Sequence, residues 1–174
     1  MRYLSSIILC AVFMLPLKSF ASDWQAPFLE TKLREITSSQ PMSPANFDLK
    51  SAEGKWILVD VWASWCEPCR ESFPFYEKLY QENKDRGFLV LGLAMDADKN
   101  DSLKFLSQSK VSFPILYDEG KKLRKKWQIP SLPISFWVNP QGEVIEVKKG
   151  FNNSDKKLIT QKLNSFLQNK GEKR

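Results

Sequence analysis

Trp56-Ile57-Leu58-Val59-Asp60-Val61-Trp62 runs directly into Ala63-Ser64-Trp65-Cys66-Glu67-Pro68-Cys69. The first seven residues form a nearly continuous apolar run rich in β-branched and aromatic side chains, which predicts a strand buried on both faces. Asp60 interrupts it. After Cys69, the apolar positions Phe73, Tyr76, Leu79 and Tyr80 recur at helical spacing as far as about Asn83. The two cysteines therefore stand at a strand-to-helix junction. Pro68 suits the first helical turn, where a missing N–H costs nothing. Pro74 falls inside the helix and predicts a kink.

Outward from this stretch the chain alternates. Phe88 to Met95 reads as a second buried strand, and Asp101-Ser102 as the cap of a helix carrying Leu103 and Leu106. Phe113 to Tyr117 reads as a short strand, Lys121 to Trp127 as a basic helix, and Ile134 to Val138 as a third long strand. Asn139-Pro140-Gln141-Gly142 is turn chemistry leading into the strand Val144 to Val147. Asn153-Ser154 caps a last helix with Leu158, Ile159, Leu163, Phe166 and Leu167 on one stripe. On the N-terminal side, Ser38 to Pro44 reads as a loop and Phe47-Asp48-Leu49 as an edge strand. Phe28, Leu33 and Ile36 have the spacing of a short helix. Strands alternating with helices, then a hairpin and a helix, predict an α/β fold with a mixed sheet and helices on both faces.

The bulk numbers narrow the chemistry. With 174 residues, 43% of them apolar, the chain suits one globular domain plus extras. It contains no histidine, which removes Ser-His and Cys-His nucleophile pairs and any zinc site that needs imidazole. A net charge of +6 is mild, and no nucleic-acid partner is expected. The basic run Lys121-Lys122-Leu123-Arg124-Lys125-Lys126 reads first as a solvated helix face, with an acidic partner or anionic lipid surface as the alternative.

Residues 1–21 read as a secretory signal peptide. Arg2 precedes a short apolar run ending at Pro16, and Ser19-Phe20-Ala21 offers small residues for cleavage after Ala21. The alternative is an uncleaved membrane anchor, although the run is shorter than a spanning helix needs. Residues 22–43 then form an N-terminal extension, and residues 44–170 the domain. Cleavage removes Cys10 and leaves Cys66 and Cys69 in a compartment where disulfides persist, a periplasm or the outer face of a membrane.

Two cysteines without histidine or a second pair leave a zinc site half built, and Arg70 stands where haem attachment needs histidine. A structural disulfide across so short a loop removes little chain entropy. Redox exchange has a mechanism. A cysteine at a helix N-terminus faces unpaired N–H groups and the positive dipole end, which favour thiolate. Cys66 at that exposed cap attacks a substrate disulfide, and Cys69, one turn along and more buried, resolves the mixed disulfide. Glu67 between them opposes thiolate, so a reducing poise near ~−270 mV is expected rather than the ~−120 mV of a strong oxidant. Trp65 is expected as a partly exposed platform beside Cys66, and Trp62 as core. Asp60, costly in an apolar strand, is expected to have a raised pKa and to accept the Cys69 proton.

Trp65-Cys66-x-Pro68-Cys69, following Val59-Asp60-Val61-Trp62-Ala63, resembles a thioredoxin-fold active site. Together with the signal peptide and the Asn139-Pro140-Gln141-Gly142-Glu143-Val144 turn, it is similar to the TlpA/ResA-like exported thiol:disulfide oxidoreductases, over roughly residues 44 to 168. The resemblance implies a thioredoxin fold. It matches Asp60 to the buried carboxylate of thioredoxin, Pro74 to the helix-kinking proline and Pro133 to the cis-proline facing the disulfide. It also implies that Leu132 offers backbone groups to bound substrate. One position departs: relatives serving cytochrome maturation carry a glutamate three residues after the second cysteine, and here that residue is Ser72. The expected protein is a monomer without cofactor or metal, exchanging disulfides with protein thiols and drawing electrons from a membrane-bound thiol reductase. The rival reading is a chaperone or copper assembly factor that uses the same pair as ligands.

Overall fold

The computed structural model describes residues 40–43, 47 and 49–169. The signal peptide, the cleavage site and the short helix expected between Phe28 and Ile36 lie outside them. Among the described residues six strands form one sheet: β1 (Gln40–Ser43), β2 (Trp56–Trp62), β3 (Phe88–Ala94), β4 (Ile115–Tyr117), β5 (Ile134–Val138) and β6 (Val144–Lys149). Four α-helices of the described residues accompany them: α1 (Glu67–Asn83), α2 (Lys99–Gln108), α3 (Lys122–Trp127) and α4 (Asn153–Asn169).

The strand order is β1-β4-β3-β2-β5-β6. β2 runs parallel to β3, and β3 to β4, whereas β5, β6 and β1 join antiparallel. This is the mixed sheet expected. β2 and β3 lie at its centre, and every β3 residue is buried, which is why both strands read as apolar runs.

The alternation of β2 separates two cores. Ile57, Val59 and Val61 face one side with Leu123 and Trp127 of α3. Leu58 and Trp62 face the other, with Cys69, Phe73, Tyr76 and Leu79 of α1 and Ile159 and Leu163 of α4. Phe105 of α2 joins this second side, tilted on Trp62 and edge-on to Phe73 at centroid distances near 5 Å. In α3 the spacing of Leu123 and Trp127 turns both inward and leaves Lys122, Arg124, Lys125 and Lys126 exposed. The basic run is thus the solvated face of an amphipathic turn.

Several boundaries differ from expectation. The edge strand is Gln40–Ser43, inside the stretch read as a loop, while Leu49–Ser51 forms a short 3-10 turn instead of a strand. β1 pairs with β4 through Gln40, Pro41 and Ser43, with a register shift between Pro41 and Ser43. Proline is tolerated there because an edge strand needs only one set of backbone partners. The sheet thereby takes in four residues ahead of residue 44. Helix α2 begins at Lys99, earlier than Asp101: the Asp98 side chain accepts from the Asn100 N–H at 2.9 Å, so Asp98 is the cap. The cap of α4 is likewise one residue early, at Asn152, whose side chain accepts from the Ser154 N–H at 2.9 Å.

Candidate active site

The parallel strands β2 and β3 end level with each other, Trp62 against Ala94. The chain leaves β2 through Ala63, Ser64 and Trp65 and enters α1 at Glu67. Cys66 is the N-cap, with φ −86° and ψ 104°. Its carbonyl accepts from the N–H groups of Cys69 and Arg70 at 3.1 and 3.3 Å, the first bonds of the helix. Pro68 stands in the first turn as expected, exposed beside Glu67. The helix continues through Pro74, whose missing N–H cannot reach the Arg70 carbonyl.

Cys66 and Cys69 form a disulfide, with Cα atoms 5.3 Å apart. Cys69 is fully buried, but Cys66 is also only 4% exposed, less than its position at an open cap suggests. Its sulfur is tied back to Cys69 and belongs to the apolar cluster against which Leu132 packs. The exposed group at the junction is Trp65, at 64%, the platform expected from the sequence, and Trp62 is core. The Leu132–Pro133 peptide is cis. Pro133 is buried and its carbonyl accepts from the Gly150 N–H at 2.8 Å, while Leu132 stays half-exposed beside the cysteine cluster.

Asp60 lies two residues back along β2, on the face shared with Leu58, Trp62 and α1. It is completely buried, and neither carboxylate oxygen has a hydrogen-bond partner among the described residues. Burial pushes its pKa up to about 8. Ser72, where cytochrome-maturation relatives carry glutamate, is fully buried and donates from Oγ to the Cys69 carbonyl at 2.9 Å.

Four residues, Asp96, Ser64, Ser102 and Arg70, were given no role at the site from the sequence. Asp96, two residues past β3 and 2% exposed, accepts from the Ser64 N–H at 3.1 Å and from Ser64 Oγ at 2.8 Å. It also accepts from the hydroxyl of buried Ser102 on α2. Arg70 donates to the Ser64 carbonyl from Nε and from the guanidinium terminus at 3.2 and 2.9 Å, with the guanidinium 5.6 Å from the Phe105 ring centre. Ser64 is thus bonded on both sides, and the turn that presents Cys66 is tied to Asp96 beyond β3 and to Arg70 on α1. The available signal was an acid just beyond a buried strand, but its partner follows only from the β2–β3 register.

A cysteine pair at a helix N-terminus, on a sheet with a cis-proline loop, is the arrangement of thiol–disulfide exchange. The Redoxin family model matches residues 29–163, most of the chain. The chain belongs to the Redoxin family. This Redoxin-family protein is 26% identical over 119 residues to the thiol-disulfide oxidoreductase ResA of Oceanobacillus iheyensis, spanning 68% of the chain and 61% of that relative. It is 30% identical over 135 residues to ResA of Bacillus thuringiensis subsp. konkukian, spanning 73% of the chain and 77% of the relative. The crystal structure of a putative thiol:disulfide interchange protein DsbE from Chlorobium tepidum superposes with a TM-score of 0.68 at 30% identity, covering 74% of this chain and 92% of that one. The fold is therefore that of thioredoxin, and the Redoxin-family chain stands among the ResA-like thiol-disulfide oxidoreductases. No helix among the described residues is long and apolar enough to cross a membrane.

Proposed function

We propose that the protein reduces disulfides of other proteins outside the cytoplasm. The observation that carries this is the Cys66–Cys69 disulfide at the N-terminus of α1, with Cys66 as the cap. In the reduced protein, the Cys66 thiolate attacks one sulfur of a substrate disulfide. The S–S bond of the substrate breaks, the other sulfur leaves as thiolate and takes a proton from solvent, and the attacked sulfur stays in a mixed disulfide with Cys66. Cys69 then gives its proton to Asp60 and attacks Cys66 Sγ. The second substrate thiol leaves, and the two electrons given to the substrate are matched by the new Cys66–Cys69 bond. Trp65 and the backbone of Leu132 beside Pro133 form the surface on which an extended substrate segment lies. Glu67 and Pro68 shape the exposed first turn.

Glu67, an acid next to the pair, and the lack of any histidine leave nothing that strongly stabilises the Cys66 thiolate, which favours the reducing direction. Return of the disulfide to the dithiol requires an electron donor, for which a membrane-bound thiol reductase fits an exported protein. Export rests on the signal-peptide pattern of residues 1–21 and the use of just two cysteines beyond it.

The test combines insulin reduction with trapping. Wild type reduces insulin, Cys66→Ser does not, and Cys69→Ser accumulates mixed disulfides that mass spectrometry identifies. Absence of turnover in the wild type together with partner binding that survives Cys66→Ser would replace this reading with a chaperone. A midpoint potential near ~−120 mV would reverse the direction proposed.

A further inference from the structure

Arg70, Phe73, Pro74, Glu77 and Lys78 stand on one side of α1, at steps of three and four residues. That side meets Phe105 of α2 and the loop through Lys110 and Val111 that follows the helix. Between them lies a groove of about 480 Å³. Its floor is apolar. Phe73 packs edge-on against Phe105 and Phe113, with ring centroids 5.1 and 5.6 Å apart. Half-buried Val111 and exposed Pro74 extend the apolar surface up its walls.

The charges lining the groove are unbalanced, with Arg70, Lys78 and Lys110 against Glu77 alone. The acid is already occupied. Its carboxylate accepts from the Ser112 N–H and hydroxyl at 2.7 Å each, and from the Gln81 amide at 2.9 Å. The cations are not. Lys110 is exposed, and among the described residues no carboxylate pairs with it. Lys78 is exposed too, with its Nζ 3.8 Å from Glu82, a distance at which a surface pair contributes little. Arg70 gives two N–H groups to the neutral Ser64 carbonyl, which leaves its charge and its other donors free for an anion. An apolar floor under unpaired cations fits an acidic segment that carries an aromatic or aliphatic side chain. The basic face of α3 has no such floor, because Leu123 and Trp127 turn inward there.

The groove opens beside the redox turn. Arg70 directly follows Cys69, and its guanidinium bonds the carbonyl of Ser64, two residues ahead of Cys66. From Arg70 to Lys78 the helix rises about 12 Å, a length that about four extended residues span. We propose that this groove holds an acidic, apolar-bearing segment of the substrate protein while the substrate disulfide reacts at Cys66. The proposal rests on the reductase reading and adds to it the class of substrate. Arg70, Lys78 and Lys110 attract the segment, and its apolar side chain packs on Phe105 and Val111. No bond is made or broken in the groove. It selects which disulfide is brought to Cys66.

Two synthetic peptides test it, each carrying one cysteine as a mixed disulfide with a chromogenic aryl thiol. A few residues from that cysteine one has Glu-Asp-Phe-Glu-Asp and the other Gln-Asn-Phe-Gln-Asn. Reduction is followed in a single turnover of the prereduced full-length protein. The acidic peptide should react with a roughly tenfold higher second-order rate constant at low salt, and the preference should fade as ionic strength rises. Lys78→Glu combined with Lys110→Glu should bring the ratio of the two rate constants to about one. Lys125→Glu, on the exposed face of α3, should leave the ratio as in the wild type. A ratio near one in the wild type, or one that survives the double reversal, would overturn the groove and leave the reductase reading standing. An equal fall with Lys125→Glu would overturn it in favour of general attraction to a basic protein. Reduction of neither peptide would overturn the reductase reading, and the substrate role of the groove with it.

Discussion

Asp60 and Asp96 are two buried acids near the same cysteine pair, and their surroundings give them opposite characters. Asp96 accepts bonds from the Ser64 N–H, the Ser64 hydroxyl and the Ser102 hydroxyl, so its charge is satisfied. Asp60 has no such donors among the described residues and is held toward the neutral form. Replacing Asp96 by Asn removes charge-assisted bonds and sets an amide against donors. The expected loss is about 2 kcal/mol, measured by urea unfolding. Turnover in insulin reduction should fall as well, because the turn before Cys66 loses its anchor. A variant with unchanged turnover would show that Arg70 alone positions Ser64. Asp60 was legible in the sequence because an acid inside an apolar run is conspicuous. Asp96 was not, because its function depends on where β2 and β3 end relative to each other.

Among the elements, β3 packs closely against its surroundings at a missing side chain. Gly92 stands beside Asp60 in the parallel ladder. A Cβ there would lie 2.4 Å from Ile115 Cδ1 and 3.3 Å from both the Phe113 ring and Trp62 Nε1. The isoleucine tip can turn aside, but the two rings are packed. Gly92→Ala should therefore cost about 2 kcal/mol through overpacking, read as a lower urea midpoint with an unchanged slope. At the sheet edge, β1 is short and carries a proline, and its propensity alone argued for a loop. Its pairing with β4 makes it a strand. Removal of residues 1–43 should raise hydrogen exchange at Tyr117, whose amide alternates with those that bond β3, and leave exchange in β2 unchanged. Equal protection at Tyr117 would mean that β1 contributes nothing to the edge. Helix α1 was readable from end to end, because its apolar spacing is strong and Pro68 marks its start. The caps of α2 and α4 were displaced by one to three residues, since several adjacent Asp, Asn and Ser side chains compete for each cap and only packing chooses among them.

For the whole molecule, Asp60 couples stability to pH. Its pKa is 3.8 as an ordinary carboxyl and about 8 in the fold. Below the lower value both states are protonated and the group is neutral in its effect. Between the two values the unfolded chain releases a proton that the folded chain keeps, so stability falls as pH rises from about 4 toward 8 and levels off above. At pH 7 this amounts to roughly 4 kcal/mol against folding. Thermal unfolding between pH 5 and 8.5 should show a falling midpoint in the oxidised wild type and a flatter one in Asp60→Asn. A midpoint that rises over this range would mean that the carboxyl is ionised in the fold. The same group that destabilises the protein is the one proposed to take a proton from Cys69.

By itself, the sequence determined the class of the fold and the reacting pair. Buried strands and amphipathic helices carry their periodicities in the chain, and two cysteines without histidine leave few chemistries open. The tertiary structure decided what those residues face. It buried Cys66 along with Cys69, gripped Ser64 between Asp96 and Arg70, and turned Gln40–Ser43 into an edge strand. These are register effects: residues far apart in the chain meet because β-pairing sets them side by side, and no local pattern records which strands will pair.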